Sequence, residues 1–231
     1  MKNLKNIVRN AISNKTGFAV QQSGGHDKNL EHVSSVLKTK IAKLSDAFSY
    51  IGNNIRDKYV LHQVRNLYVV GLIAYFETFW RDLIFHLVET YKLEYSDIEK
   101  LLTGKSKKED LEDIFVKKRL SYASLVANSD FFYSLDVINQ IMSSLLKCDF
   151  LSDYAKHTIS ILKGGKEEKM GVGRFFSMAI LNKAFNIRHD MVHNSGEGHD
   201  LEEEDIRKIE ISIQNFCCFS TWFISGKLKQ T

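Results

Sequence analysis

Leu67-Tyr68-Val69-Val70-Gly71-Leu72-Ile73-Ala74-Tyr75-Phe76-Glu77-Thr78-Phe79-Trp80-Arg81-Asp82-Leu83-Ile84-Phe85 is the most apolar window of the chain. Its three charged residues decide how it is read. As a helix it is long enough to cross a bilayer, but Glu77, Arg81 and Asp82 would then lie at membrane depth, where ionised side chains are costly. A buried core helix is the better reading. The apolar run continues outward from about Val60 to Tyr95, too long for a strand and rich in helix formers and aromatics. It is expected to be the central helix.

Upstream, Val33, Leu37, Ile41, Leu44, Phe48, Ile51 and Ile55 recur at steps of four and three, one apolar stripe on a long helix. That stripe is expected to pack on the bundle or on a second subunit. Residues 1–25 end in Gln21-Gln22-Ser23-Gly24-Gly25, a break that sets them apart as an N-terminal arm from a helical domain over 26–231.

Downstream, Lys105 to Glu109 is a charged loop. Its Gly104-Lys105-Ser106 matches the tail of a phosphate-binding loop, but Glu99 stands where that motif needs its first glycine. Residues 111–162 predict two or three helices, with Leu125, Phe131, Phe132, Leu135, Ile138, Ile141, Leu145 and Leu146 as core. Gly164-Gly165-Lys166 through Gly171-Val172-Gly173 reads as a mobile loop without a dinucleotide fingerprint. A helix from Arg174 buries Phe176, Ile180, Ala184, Ile187 and Met191, and Gly196 and Gly198 stop it. Asp200 and Glu203 resemble a capping box that opens a terminal helix carrying Ile206, Ile209, Ile213, Phe216 and Phe223.

The chain has 231 residues, 44% of them hydrophobic, and no proline. Long helices with short polar connections follow, so the expected class is all-α. A net charge of +4 permits a polyanionic partner without demanding one. Cys148, Cys217 and Cys218 have neither disulfide-framework nor metal-site spacing and read as buried thiols of a cytoplasmic protein. No signal-peptide-like apolar run follows the basic start, and no membrane association is expected.

Chemistry concentrates at Ile187-Arg188-His189-Asp190-Met191-Val192-His193-Asn194-Ser195-Gly196, near a predicted helix end. At about 100° per residue, His189 and His193 share a face and Arg188 lies roughly 140° from His193. Neither imidazole points into the stripe of Ile187 and Met191. A guanidinium binds phosphate bidentately and a histidine exchanges protons near neutrality. Together they are a minimal kit for cleaving RNA through its own 2′-hydroxyl, with no metal or other cofactor.

Arg188-His189-Asp190-Met191-Val192-His193 resembles the motif of the HEPN superfamily: Arg, usually Asn, Asp or His, three more residues, then His. Ala74-Tyr75-Phe76-Glu77-Thr78-Phe79-Trp80-Arg81-Asp82-Leu83-Ile84 is similar to the first core helix of many such domains. The resemblance spans residues 30–225 and implies a HEPN-type helical bundle, here with an N-terminal helical extension. It implies a metal-independent endoribonuclease, acting as a homodimer that brings two motifs into one cleft and leaves a 2′,3′-cyclic phosphate. By the same resemblance His193 is the general acid/base, Arg188 holds the scissile phosphate and His189 orients the pair. Glu77 is a supporting candidate that would hydrogen-bond the arginine or histidine, or else position helices. Asp190 is a second supporting candidate without an assigned role. The implied setting is toxin–antitoxin or antiphage defence, with RNA, tRNA included, as target and an antitoxin or regulatory protein as partner.

Three other readings stand beside this one. A catalytically silent HEPN-like module would bind RNA or protein without cutting it. A zinc metallopeptidase would use His189, His193 and His199, but Asp190 replaces its general-base glutamate and no later methionine forms its turn. Finally, cations at a helix end can simply complement its exposed carbonyls.

Overall fold

The computed structural model describes residues 28–91, 132, 134–163, 166–193 and 198–229. Its helices are α1 (Lys28–Asn54), α2 (Lys58–Tyr91), α3 (Leu135–Leu146), α4 (Phe150–Lys156), α5 (Met178–His193) and α6 (Glu203–Leu228). Between α4 and α5 run two strands, β1 (Thr158–Lys163) and β2 (Lys166–Gly171). The N-terminal arm, Gly104-Lys105-Ser106, Leu125, Phe131 and Gly196 lie outside the described residues.

The apolar run is one uninterrupted helix, α2. Asp57 starts it, its Oδ1 accepting from the Tyr59 and Val60 amides at 2.8 and 3.2 Å. Because apolar residues lie all round it, α2 needs cover on several sides, which α1, α5 and α6 supply. Among the described residues, no helix is long and apolar enough to cross a membrane.

The α1 stripe packs on this bundle: Leu37 and Ile41 are buried, and Val33, Leu44 and Phe48 are partly so. Its far end runs out of the core, leaving Ile51 exposed and Ile55 half-buried. Phe132, Leu135, Ile138, Ile141 and Leu145 are core as expected. So are the five apolar positions of α6.

Aromatic rings form the centre. Phe76 and Trp80 of α2 meet Phe216 of α6 at centroid distances of 6.0 and 5.7 Å. Phe150 and Tyr154 of α4 close the cluster against Trp80 and Phe216. The Tyr154 hydroxyl donates to the Phe216 carbonyl at 2.9 Å, so the ring is buried with its polar tip satisfied.

Three expectations need correcting. Residues 158–171 are not a helix end followed by a mobile loop but an antiparallel hairpin. The register runs from Thr158 opposite Gly171 to Lys163 opposite Lys166. Ile159 and its partner Met170 turn toward the core. The all-α class therefore holds for the bundle, with a small two-stranded sheet added.

The capping box lies two residues later than read, between Glu202 and Asp205. Fully buried Leu201 precedes the cap and buried Ile206 follows it at the fourth helical position, the two places of a hydrophobic staple, which favours a start at Glu202. Of the three cysteines, all free, only Cys217 is buried, while Cys148 and Cys218 are half-buried.

Buried Glu210 accepts from the Tyr68 hydroxyl at 2.8 Å and from Gln214 at 3.1 Å. Desolvation nevertheless pushes its carboxyl above the ordinary 4.5, outweighing both hydrogen bonds. A carboxyl that holds its proton more tightly when folded loses stability as pH rises from the unfolded toward the folded value. Glu210→Gln keeps the acceptor for Tyr68 and cannot ionise. Its melting temperature relative to wild type is therefore expected to climb as pH rises from about 4 toward neutrality. Thermal melts across that range check this, and a pH-independent difference would contradict it.

Candidate functional site

The motif occupies the last two turns of α5. Ser177 starts this helix, its carbonyl accepting from Leu181 at 3.0 Å and its Oγ from Ile180 at 3.4 Å. Ala184 and Ile187 are fully buried, while Ile180 and Met191 are only partly so. That anchorage fixes the rotation of the helix. His189 and His193 consequently face outward, both exposed, with ring centroids 4.7 Å apart and planes inclined at 45°.

Arg188 points the other way, toward α2. Its Nε lies 3.2 Å from Glu77 Oε1 and its Nη2 3.5 Å from Oε2. This is a side-on pairing that leaves the Nη1 end of the guanidinium for another acceptor. The Glu77 side chain is only 12% exposed and that of Arg188 26%. Burial pushes the Glu77 carboxyl up, against the pull of Arg188 and Arg81. The sequence offered Glu77 as a partner for either the arginine or a histidine; here it meets the arginine.

Asp190 turns toward the segment after the motif, where its Oδ2 lies 2.7 Å from His199 Nε2. His199 is therefore drawn to Asp190. The three histidines of the zinc-peptidase pattern are not assembled, and among the described residues no group of three or more His, Cys, Asp or Glu is placed to hold a metal ion.

Asn66 and Arg65, neither singled out in the sequence, hold this segment, and Gly198, read there only as a helix stop, lets it pass close. Asn66 of α2, fully buried, accepts from the His199 amide and donates to its carbonyl, both at 2.9 Å, and donates also to the His62 carbonyl at 3.0 Å. Arg65 donates to the Leu201 carbonyl at 2.9 Å. Gly198 passes so close that a Cβ there would stand 2.6 Å from Asn66 Nδ2 and 3.1 Å from His62 Nε2. The one available signal was the asparagine itself: a polar amide inside an apolar helix needs a partner.

The assembled group is thus a guanidinium held by a buried carboxylate, two exposed imidazoles one helical turn apart, and a pinned Asp190–His199 pair. It can bind an anion and move a proton. No protein-family model, no curated protein and no solved structure matches the chain.

Asn66→Ala strips two backbone partners from His199 and is expected to destabilise by about 1–3 kcal/mol in urea unfolding. Hydrogen exchange should also show the His199 amide losing protection while the amides of α6 keep theirs. An unchanged His199 amide would mean that the clamp does not hold this segment.

Proposed function

We propose that this protein is a metal-independent endoribonuclease of the HEPN type, working in the cytoplasm in a toxin–antitoxin or antiphage setting. The observation that supports it most is the placement of Arg188. It is half-buried against Glu77 of the central helix, while the same stretch of α5 presents His189 and His193 to solvent.

In the reaction, the RNA 2′-hydroxyl attacks the neighbouring phosphorus and loses its proton. The phosphorus–oxygen bond to the next nucleotide breaks, and the departing 5′-oxygen takes up a proton. The products are a 2′,3′-cyclic phosphate and a 5′-hydroxyl. His193 exchanges the protons, His189 orients it, and Arg188 balances the charge building on the phosphate. Asp190 acts indirectly by holding His199.

Purified wild type incubated with total RNA in excess EDTA is expected to cut and to leave cyclic-phosphate ends. His193→Ala should retain its fold and lose about 100-fold or more in rate, the usual contribution of a proton-transferring residue. Cutting that EDTA abolishes, or that survives in the variant, would contradict the assignment.

A homodimer belongs to the same reading. Val60, Leu67 and Phe85 are exposed on α2, and Val192 is exposed beside the two histidines. Val60, Leu67 and Ala74, all exposed, follow one another at heptad spacing on α2. Leu67→Glu is expected to shift the protein toward monomer in sedimentation velocity without lowering its helix content. A wild type that sediments as a monomer at high concentration would remove the dimer from the account.

The silent binding module has one observation in its favour, since the Arg188 guanidinium already faces a carboxylate. Retained RNA binding without cutting in the same EDTA assay would select it.

A further inference from the structure

Arg81 stands one helical turn after Glu77 on α2. Side chains on a helix lean toward its N-terminus, which carries the Arg81 guanidinium back toward the Glu77 carboxylate. Arg81 is half-buried, and its Nε is enclosed with no hydrogen-bond partner among the described residues. Buried donors of this kind are uncommon, and an unexplained one calls for a function or a missing acceptor.

Glu77 does not saturate its neighbours either. Its Oε1 lies within ion-pair distance of Arg188 Nε, yet that N–H is not aligned for a hydrogen bond and Oε1 is left without one. The second contact, from Arg188 Nη2, is long at 3.5 Å. Two guanidiniums beside one carboxylate leave a net positive charge in a partly buried place, where charge interactions are screened far less than in water. Exposed His189 and His193 lie on the turn that carries Arg188.

We infer that Arg81 and Arg188 form a two-guanidinium seat for a phosphate group, with Glu77 the resident counter-ion that an arriving phosphate displaces. A phosphate oxygen supplies the acceptor that Arg81 Nε lacks, and its remaining oxygens engage the open end of Arg188 in the planar, forked manner that favours arginine over lysine. Glu77 then serves a second purpose. It keeps the two cations close together before substrate arrives. That the phosphate belongs to RNA rests on the ribonuclease reading; the seat itself does not.

The test is a titration of inorganic pyrophosphate into the full chain, followed through the arginine Nε–H resonances, alongside the EDTA cleavage assay. Saturable shifts of both the Arg81 and Arg188 signals are expected. Arg81→Gln should weaken the affinity about tenfold, Arg81→Lys should restore part of it, and Glu77→Gln should tighten it. With a 2′-O-methyl oligonucleotide, Arg81→Gln should lower the salt dependence of binding by about one ion. An Arg81 signal that pyrophosphate leaves in place, or equal affinities for wild type, Arg81→Gln and Glu77→Gln, would overturn the seat and leave Arg81 a structural partner of Glu77. RNA cutting in that case would keep the ribonuclease reading without the seat. Pyrophosphate binding that depends on Arg81, without cutting, would keep the seat and remove the ribonuclease.

Discussion

A helix that is apolar nearly all the way round is unstable in water unless it is covered, and α2 imposes that requirement on the rest of the chain. α1, α5 and α6 lie against it, and the aromatic rings of α4 and α6 reach its centre at Trp80. Several polar side chains on the enclosed part of α2 find partners on neighbouring elements. Tyr68 meets Glu210 of α6, Asn66 meets the backbone of His199, and Glu77 meets Arg188 of α5. The covering of one helix therefore orients the motif.

This link between core and site explains why the motif is placed so definitely. Ala184 and Ile187 set the rotation of α5 from the core side, and Glu77 holds it again through Arg188. Asn66 and Arg65 fix the segment beyond the helix end. His189 and His193 are left facing out as a matter of helix geometry. Packing energy from apolar burial, at roughly 25 cal/mol per Å², thus supports a polar site whose exposed imidazoles contribute nothing to the core.

Much of the bundle was legible because its signal is periodic. The stripes of α1, α5 and α6 and the length of α2 follow from spacing alone, and the outward direction of both histidines follows from their distance from Ile187. The hairpin was missed because glycine and lysine at 163–166 read as a loop, although Gly164-Gly165 between alternating residues is also a turn signal. The capping box was misplaced because the burial of Leu201, a tertiary event, favours the later of two acidic candidates. Asn66, Arg65 and Arg81 were not assigned to the site because they lie more than a hundred residues from the motif in sequence, and no local pattern joins them. In the sequence Arg81 argued against a membrane span and stood in the Ala74–Ile84 segment without a role of its own.

The claim at the centre is that the Arg188, His189 and His193 group cuts RNA through the 2′-hydroxyl next to the scissile phosphate. Once a cut position has been mapped, the most direct measurement compares two transcripts that differ only there, one carrying ribose and the other 2′-O-methyl ribose, with EDTA present. The account predicts that the first is cut and the second stays intact at that position. Equal cutting of both, or cutting only when a divalent metal is restored, would contradict it.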